Sequence, residues 1–181
     1  MHSRKSVLMI SYLSYKGKVF LPHFLIKIFM THSIIKGIER QKKEVGHGMK
    51  FKIINTVRTS NFNDPHLMDK MGKLWKDSYA AIEQALKNGR KAACIYHGYQ
   101  SDYRGEYLAS LCVEDEKDGE FDTSLHQWKD YPTGGKDPEH IISTWKKIWE
   151  GEDQGSIARE YSFDMEEYSP DGTVRIRIAL K

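Results

Sequence analysis

Two Asp-Pro pairs, Asp64-Pro65 and Asp137-Pro138, lie 73 positions apart, and each precedes a run of apolar residues at helical spacing. An Asp can cap the free N–H groups of a helix N terminus, and a Pro suits the first helical position. The apolar residues recur over 67–86 after the first pair and over 141–149 after the second. This pattern predicts two amphipathic helices, of which the second is shorter.

Strand-like runs surround the two predicted helices in the same order. One run precedes each helix and two runs follow it, so the order strand, helix, strand, strand occurs twice. The runs are 50–57, 91–99, 106–113, 123–131, 157–168 and 173–180. In the last run Val174 and Ile176 flank Arg175, and this alternation is typical of a half-buried strand. Two such units can pair their strands, place both helices on one face and leave a groove between the halves as a ligand site.

Positive charge is concentrated at the N terminus. The 181 residues include 28 Lys or Arg and 25 Asp or Glu, which gives a net charge of +3. Residues 1–48 hold nine of the basic and two of the acidic residues, a net charge of +7, so residues 49–181 carry −4. Nucleic-acid binding needs clustered positive charge. We therefore predict that residues 49–181 do not bind nucleic acid directly.

The first 48 residues have two interpretations. An apolar stretch over 7–29 follows two basic residues, as in a targeting or membrane-surface segment. Lysines and a proline interrupt this stretch, so it contains no run of the roughly 20 apolar residues that a spanning helix needs. Alternatively, Met49 is the true initiator, because Lys43-Glu44-Val45 can be encoded by a purine-rich stretch that resembles a bacterial ribosome-binding site. We predict an N-terminal extension, 1–48, outside the natural domain, and a folded domain, 49–181, without membrane binding.

Few residues favour metal, redox or cofactor chemistry. Cys94 and Cys112 allow at most one disulfide, so a reducing, cytoplasmic compartment is expected. The eight His form no close pair of metal ligands, and the two Cys lack the C-x-x-C spacing. The chain has no Gly-rich phosphate loop and no G-x-S-x-G motif. We therefore predict no cofactor, no metal and no catalytic residue.

Five successive motifs of the chain are similar to those of one family. They are Val57-Arg58-Thr59-Ser60-Asn61, Leu74-Trp75, Tyr99-Gln100-Ser101-Asp102-Tyr103-Arg104-Gly105-Glu106-Tyr107, Thr144-Trp145-Lys146-Lys147-Ile148-Trp149 and Arg159-Glu160-Tyr161-Ser162-Phe163-Asp164-Met165-Glu166-Glu167-Tyr168. On these residues the chain resembles the GyrI-like, or gyrase-inhibitor-like, small-molecule-binding domain. This domain is also called the AraC-type or bacterial transcription activator effector-binding domain. The resemblance covers 50–181.

The resemblance implies an α+β fold of two tandem βαββ units related by pseudo-two-fold symmetry. It implies one antiparallel sheet, two helices on one face and a central ligand cleft that binds aromatic, often cationic, small molecules. Some members are fused to DNA-binding domains and others stand alone. Because 1–48 contains no capped pair of helices joined by a short turn, the chain resembles a stand-alone member. Met165 and Glu167 depart from the family motif, which has Phe and Val at these places.

The family's acidic position near the C-terminal end corresponds to Glu166. A cleft for an aromatic cation needs ring faces and one negative charge, because ring quadrupoles attract a cation and a buried carboxylate is its counter-charge. Strand alternation puts Asp164, Glu166 and Tyr168 on one face, so Glu166 beside Tyr168 is the first candidate for ligand binding. From the pattern alone, a solvated strand residue is the alternative for Glu166. Glu106 is the second candidate, and a turn acid is its alternative.

Further aromatic rings are expected to line the cleft. The candidates are Trp75, Tyr79, Tyr99, Tyr107, Trp145 and Trp149. Each of these rings, taken alone, also fits core packing. Among the helix residues, Trp145 and Tyr79 are the best placed to line a groove.

Three functions fit these residues, and we favour the first. It is a stand-alone bacterial effector-binding protein that captures or senses an aromatic, cationic compound without chemistry, as in multidrug binding or transcription regulation. The second is an enzyme that hydrolyses a strained or cyclopropane-type natural product, with Glu166 as general base. The third is a gyrase-inhibitor-like protein that acts on a macromolecular target. Two partners stay open besides the small molecule: a separate regulator protein, and a second copy of the chain.

Overall fold

The computed structural model describes residues 48–135 and 137–181. Seven strands and two α-helices make up this part of the chain. In chain order they are β1 (Lys50–Ser60), α1 (Leu67–Lys87), β2 (Ala92–His97), β3 (Glu106–Glu114), β4 (Phe121–Asp122), β5 (Gln127–Pro132), α2 (Pro138–Asp153), β6 (Arg159–Tyr168) and β7 (Val174–Leu180). The predicted α+β class with two helices is confirmed.

All seven strands form one sheet, in the order β4-β1-β3-β2-β6-β7-β5. Every neighbouring pair is antiparallel, as predicted, and the sheet curls into a half-barrel. The pair β2–β6 lies at the middle, where Cys94 is opposite Glu166. The residues of β6 therefore occupy the centre of the sheet.

Helix α1 begins two residues later than the Asp-Pro pair predicts. His66 is its N-terminal flanking residue and makes no side-chain cap. Asp64 instead closes a turn before the helix, where one carboxylate oxygen accepts the N–H of His66 at 2.9 Å and the other accepts Nζ of Lys70 at 2.7 Å. The helix ends at Lys87, Asn88 is its C-terminal flanking residue, and Gly89 adopts the left-handed conformation with φ of 77°, which other residues rarely adopt.

Helix α2 begins at Pro138, directly after Asp137, as the second Asp-Pro pair predicts. Asp137 makes no side-chain cap, so the proline and the extended backbone before it define this start. The predicted strand over 123–131 is shorter than expected. Residues 123–125 form a turn of 3-10 helix in which the carboxylate of Asp122 accepts the N–H of Ser124 at 2.9 Å, and β5 begins only at Gln127.

The two faces of the sheet bury different clusters. Both helices pack on one face, where Leu74 of α1 and Ile148 of α2 join the same apolar cluster as Ile176 of β7. The opposite face carries a smaller cluster around Phe51 and Met165. The predicted placement of both helices on one face is thus confirmed, and successive residues of β6 point alternately to the two clusters.

The remaining predictions concern the N-terminal extension, the two cysteines and membrane-spanning helices. The interpretations of residues 1–47 fall outside the described residues, and the start at Met49 stays a prediction. Met49 itself belongs to the fold, because its N–H donates to Oγ1 of Thr123 at 2.8 Å. Cys94 and Cys112 are buried and free. Within the described residues no helix has the length and apolar character needed to cross a membrane.

Truncation of the core cluster at Leu74 is expected to destabilise the domain strongly. Leu74 is fully buried on α1, so Leu74→Ala should lower the free energy of unfolding by about 2–5 kcal/mol. The same substitution at Leu125, which is 75% exposed, should change it by less than about 0.5 kcal/mol. Equilibrium urea unfolding measures both values, and equal losses in the two variants would contradict this packing.

Candidate ligand-binding site

Strand β6 directs adjacent carboxylates to opposite faces of the sheet. Glu167 points away from the helices and is fully buried, with Lys91 Nζ at 3.0 Å and Arg175 Nη2 at 2.8 Å from one of its oxygens. Nη1 of Arg177 lies 3.5 Å from the other oxygen. Glu166 points to the helix side, on the face that strand alternation predicted it to share with Asp164 and Tyr168, and only 6% of it is exposed. Glu166 is therefore a buried residue and not a solvated one.

Three ring side chains donate hydrogen bonds to the carboxylate of Glu166. The hydroxyl of Tyr96 and the indole Nε1 of Trp145 lie 2.8 Å and 2.7 Å from Oε1. The hydroxyl of Tyr168 lies 2.6 Å from Oε2. The donors come from β2, α2 and β6, so the carboxylate joins the centre of the sheet to the second helix.

The protonation of the donors suits an ionised acceptor. Burial, together with Cys94 and Glu166 nearby, raises the pKa of Tyr96 well above its ordinary value. Burial and Glu166 likewise raise the pKa of Tyr168. Both hydroxyls therefore keep their protons at neutral pH, and the indole of Trp145 can only donate. Within the described part of the chain, Glu166 makes no ion pair, in contrast to the neighbouring Glu167.

Aromatic rings enclose this carboxylate in a cage, which we define as Trp75, Tyr96, Tyr107, Trp145 and Tyr168. Tyr96 lies edge to face with Trp145 at 5.3 Å and with Tyr107 at 5.6 Å between ring centroids. Trp75 of α1 meets Tyr168 edge to face at 5.4 Å. Edge-to-face pairs add about 0.5–1.5 kcal/mol beyond burial. The cage is therefore a packed unit built from both helices and the central strands.

An outer layer of rings covers the cage on the side of α2. Trp149 stacks on Trp145 at 6.2 Å and on Tyr103 at 5.2 Å, and Phe62 meets Trp149 edge to face at 5.9 Å. The guanidinium of Arg104 lies 4.3 Å above the ring of Tyr103. A continuous series of rings thus runs from an exposed arginine to the buried cage.

A second buried carboxylate on the same face is already neutralised. Nη2 of Arg159 lies 2.5 Å from Oδ2 of Asp164. The hydroxyl of Tyr99 donates to the same oxygen at 2.9 Å, and the N–H of Ala179 donates to Oδ1 at 3.0 Å. The side chains of Arg159 and Asp164 are 1% and 0% exposed. This ion pair lies beside the cage and is as deeply buried as Glu166.

Aromatic rings also surround the guanidinium of Arg159. Its carbon lies 4.3 Å from the ring centroid of Tyr161, 5.6 Å from that of Tyr99 and 5.9 Å from that of Trp145. Burial opposes its charge, but Asp164, Tyr99 and Tyr161 more than offset this, and the pKa of Arg159 is raised above its ordinary value. Arg159 is therefore a resident cation among rings and acids.

An irregular stretch of β6 places these groups. The register between β6 and β7 shifts between Arg159 and Asp164. Within this stretch Tyr161 has a φ of 63°, a conformation that non-glycine residues rarely adopt, and its hydroxyl donates to Glu152 of α2 at 2.6 Å. The bulge brings the start of the strand against the end of α2.

The structure brings together most of the predicted site residues. Glu166, Tyr168, Trp145, Trp75 and Tyr107 belong to the cage, Trp149 to the outer layer and Tyr99 to the surroundings of Arg159.

Two predicted residues lie elsewhere. The hydroxyl of Tyr79 donates to Glu83, one turn further along α1, at 3.0 Å. The side chain of Glu106 is 55% exposed and lies 3.7 Å from Nη1 of Arg58, because strand alternation turns it away from the buried face that Tyr107 occupies. Glu106 therefore stays outside the candidate site.

Four further residues of the site, Phe62, Tyr96, Tyr103 and Arg159, were not among the predicted site residues. Tyr96 follows buried Cys94 by two positions on β2, so strand alternation could have identified it. Phe62 lies in a turn without periodicity, and Arg159 reaches the site through the irregular stretch of β6, so periodicity identifies neither. Within the described residues, no group of three His, Cys, Asp or Glu side chains could hold a metal ion.

Removal of the indole donor at the cage should destabilise the fold. Trp145→Phe keeps a ring but leaves Glu166 with one hydrogen bond fewer, and we expect a loss of about 1.5–3 kcal/mol, as is usual for bonds to charged groups. The control Trp128→Phe removes an indole N–H bond to the carbonyl of Thr123, for which about 0.5–1.5 kcal/mol is expected. Equilibrium urea unfolding compares the two losses of stability, and a smaller loss in Trp145→Phe than in Trp128→Phe would contradict this contribution of the Trp145–Glu166 bond.

Comparison with known proteins gives one similar fold. The sequence matches no family model and no curated protein. A solved structure with a similar fold is an integron cassette protein from the mobile metagenome of Vibrio cholerae. The match has a TM-score of 0.51 and 25% sequence identity, and it covers 74% of this chain and 96% of that chain. The chain therefore shares most of its described fold with an integron cassette protein.

Proposed function

We propose that this protein binds an aromatic, cationic small molecule at Glu166, as a stand-alone effector-binding protein that captures or senses its ligand. One observation carries the proposal: a carboxylate only 6% exposed is surrounded by rings and makes no ion pair within the described residues. A neutral side chain of similar size would fill the same space at a lower cost in desolvation. The charge is therefore best explained by a cation that it recognises.

The energies of carboxylate–cation and cation–π attraction favour an aromatic cation as the ligand. A cation about 4 Å from a carboxylate is attracted by about 4 kcal/mol near a protein surface. Each ring face adds about 0.5–2 kcal/mol through its quadrupole. A flat aromatic cation gains from both. An anionic ligand would instead be repelled by Glu166.

The strand order supports membership of the GyrI-like family. In one half the sheet order is β1-β3-β2 and in the other it is β5-β7-β6, and a helix lies between the first two strands of each half in sequence. This order is expected for two tandem βαββ units related by pseudo-two-fold symmetry. The cage lies where the two halves meet, because β2 and β6 are neighbours. Such internal interfaces are common ligand sites.

Binding requires a change in the ring side chains, since the cage is nearly closed to solvent. Trp149 and Phe62 in the outer layer are half-buried, whereas Trp145 beneath them is buried. Displacement of the outer layer gives access to Glu166 without disturbing the central strands. The ligand then replaces ring contacts with its own rings.

Binding without chemistry fits the hydrogen bonding better than hydrolysis does. A general base needs a free oxygen lone pair directed at the attacking water. Here Glu166 already accepts two ring hydrogen bonds on Oε1 and one on Oε2, so three of its four lone-pair sites are occupied. We expect mass spectrometry to recover the ligand unchanged after incubation with the protein. Enzyme-dependent formation of a hydrated product would instead favour the hydrolase.

The cationic dye rhodamine 6G tests the proposed site. Binding to the wild-type protein should quench tryptophan fluorescence, and Glu166→Gln should weaken the affinity by about tenfold or more because it removes the counter-charge. Glu106→Gln is the matched control, since it makes the same change in charge at an exposed position. It should leave the affinity within about twofold. Equal effects of the two variants, or no binding by the wild type, would refute the proposal.

A further inference from the structure

We infer that Arg159 makes the site selective for ligands with a single cationic centre. The inference rests on the proposed function, because it concerns the ligand of the same cage. Two buried carboxylates lie on the helix side of β6, at Asp164 and Glu166. Without Arg159 they would form a pair of acids suited to a ligand with two cations.

The distance between the two carboxylates determines how far apart the two charges of a shared ligand must be. Residues two apart on a strand have Cα atoms about 6.6 Å apart. Both carboxylates meet aromatic hydroxyls, from Tyr99 at Asp164 and from Tyr96 at Glu166. Tyr107 contacts both of these tyrosines, at 6.0 Å and 5.6 Å between ring centroids. The acids therefore face one continuous aromatic surface.

Arg159 occupies the cation position of the second acid. Its Nη2 lies 2.5 Å from Asp164, and its side chain is 1% exposed, so it is not displaced as easily as a surface residue. Glu152 of α2 also lies 3.3 Å from Nη1. The guanidinium thus has two acidic partners and a fixed position.

Trp145 connects the two positions. Its indole N–H donates to Glu166, while its ring centroid lies 5.9 Å from the guanidinium carbon of Arg159. A ligand cation at Glu166 consequently has the resident cation of Arg159 as its neighbour across one indole. A second ligand cation at Asp164 would lie next to the guanidinium of Arg159, and two neighbouring positive charges repel each other.

The selectivity can be tested with two ligands that share one ring. Benzene-1,4-dicarboxamidine carries two amidinium groups, and 4-cyanobenzamidine carries one. Calorimetry should show that the wild-type protein binds the diamidine about tenfold or more weakly than the monoamidine, because Arg159 repels the second charge. Wild-type binding of the diamidine at equal or higher affinity would overturn the inference without any variant.

Variants of the ion pair then assign the selectivity to Arg159. Arg159→Gln should raise the affinity for the diamidine relative to the monoamidine by about tenfold, since Asp164 becomes free to bind the second charge. The double variant Arg159→Gln/Asp164→Asn removes both charges and should lose this gain. If Arg159→Gln is too unstable for calorimetry, thermal shift is the readout, and the diamidine should raise its melting temperature more than the monoamidine does.

The outcomes separate the two proposals. An unchanged ratio of the two affinities in Arg159→Gln, or an equal thermal shift by both ligands, would overturn the role of Arg159 while monoamidine binding at Glu166 remains. If the wild-type protein binds none of the three probes, that is, neither amidine nor rhodamine 6G, the proposed function itself is overturned, and with it the inference.

Discussion

The carboxylate of Glu166 must be kept inside the protein without a basic partner in the described part of the chain. Burial of an isolated charge costs several kcal/mol unless hydrogen bonds and nearby charges compensate. Here the compensation comes from three ring donors on β2, α2 and β6. The indole of Trp145 on α2 and the hydroxyls of Tyr96 and Tyr168 are therefore oriented towards one acid. The burial of adjacent Glu167 is instead compensated by three cationic side chains.

This contrast gives the two faces of β6 different roles. On the face away from the helices, the cations around Glu167 neutralise its charge and join β6 to β7 and to the start of β2. On the helix face, Asp164 is paired with Arg159, whereas Glu166 has ring donors and no cationic partner among the described residues. A carboxylate that the fold supplies with hydrogen-bond donors but not with a cation is available for a cationic ligand. We thus regard the ion pairs as scaffold and Glu166 as the binding group.

Local patterns in the sequence were enough to predict both helices and six of the seven strands, but not the two-residue strand β4 or the irregular parts. The apolar spacing and the Asp-Pro pairs predicted both helices, and alternation in β6 predicted the face of Glu166. The Asp-Pro pair could not show that the carboxylate of Asp64 accepts its hydrogen bond within a turn and not at the helix N terminus. The same side-chain oxygen is the acceptor in both arrangements. Tyr79 follows buried Ser78 by one position, about 100° around the helix, so it lies at the margin of the buried stripe. Arg159 depends on a bulge whose backbone conformation no periodicity encodes.

The indole N–H resonances of the tryptophans provide the most direct test of the central claim that a cation binds at Glu166. The chain has four tryptophans, and each indole can be assigned by its Trp→Phe variant in ¹H–¹⁵N NMR spectra. During titration with tetraphenylphosphonium, the Nε1–H resonance of Trp145 should shift most, because its acceptor gains a cationic partner. The resonance of Trp128, whose acceptor is a backbone carbonyl remote from the cage, should stay in place. If saturating ligand leaves the Trp145 resonance unmoved, the cation does not bind at Glu166.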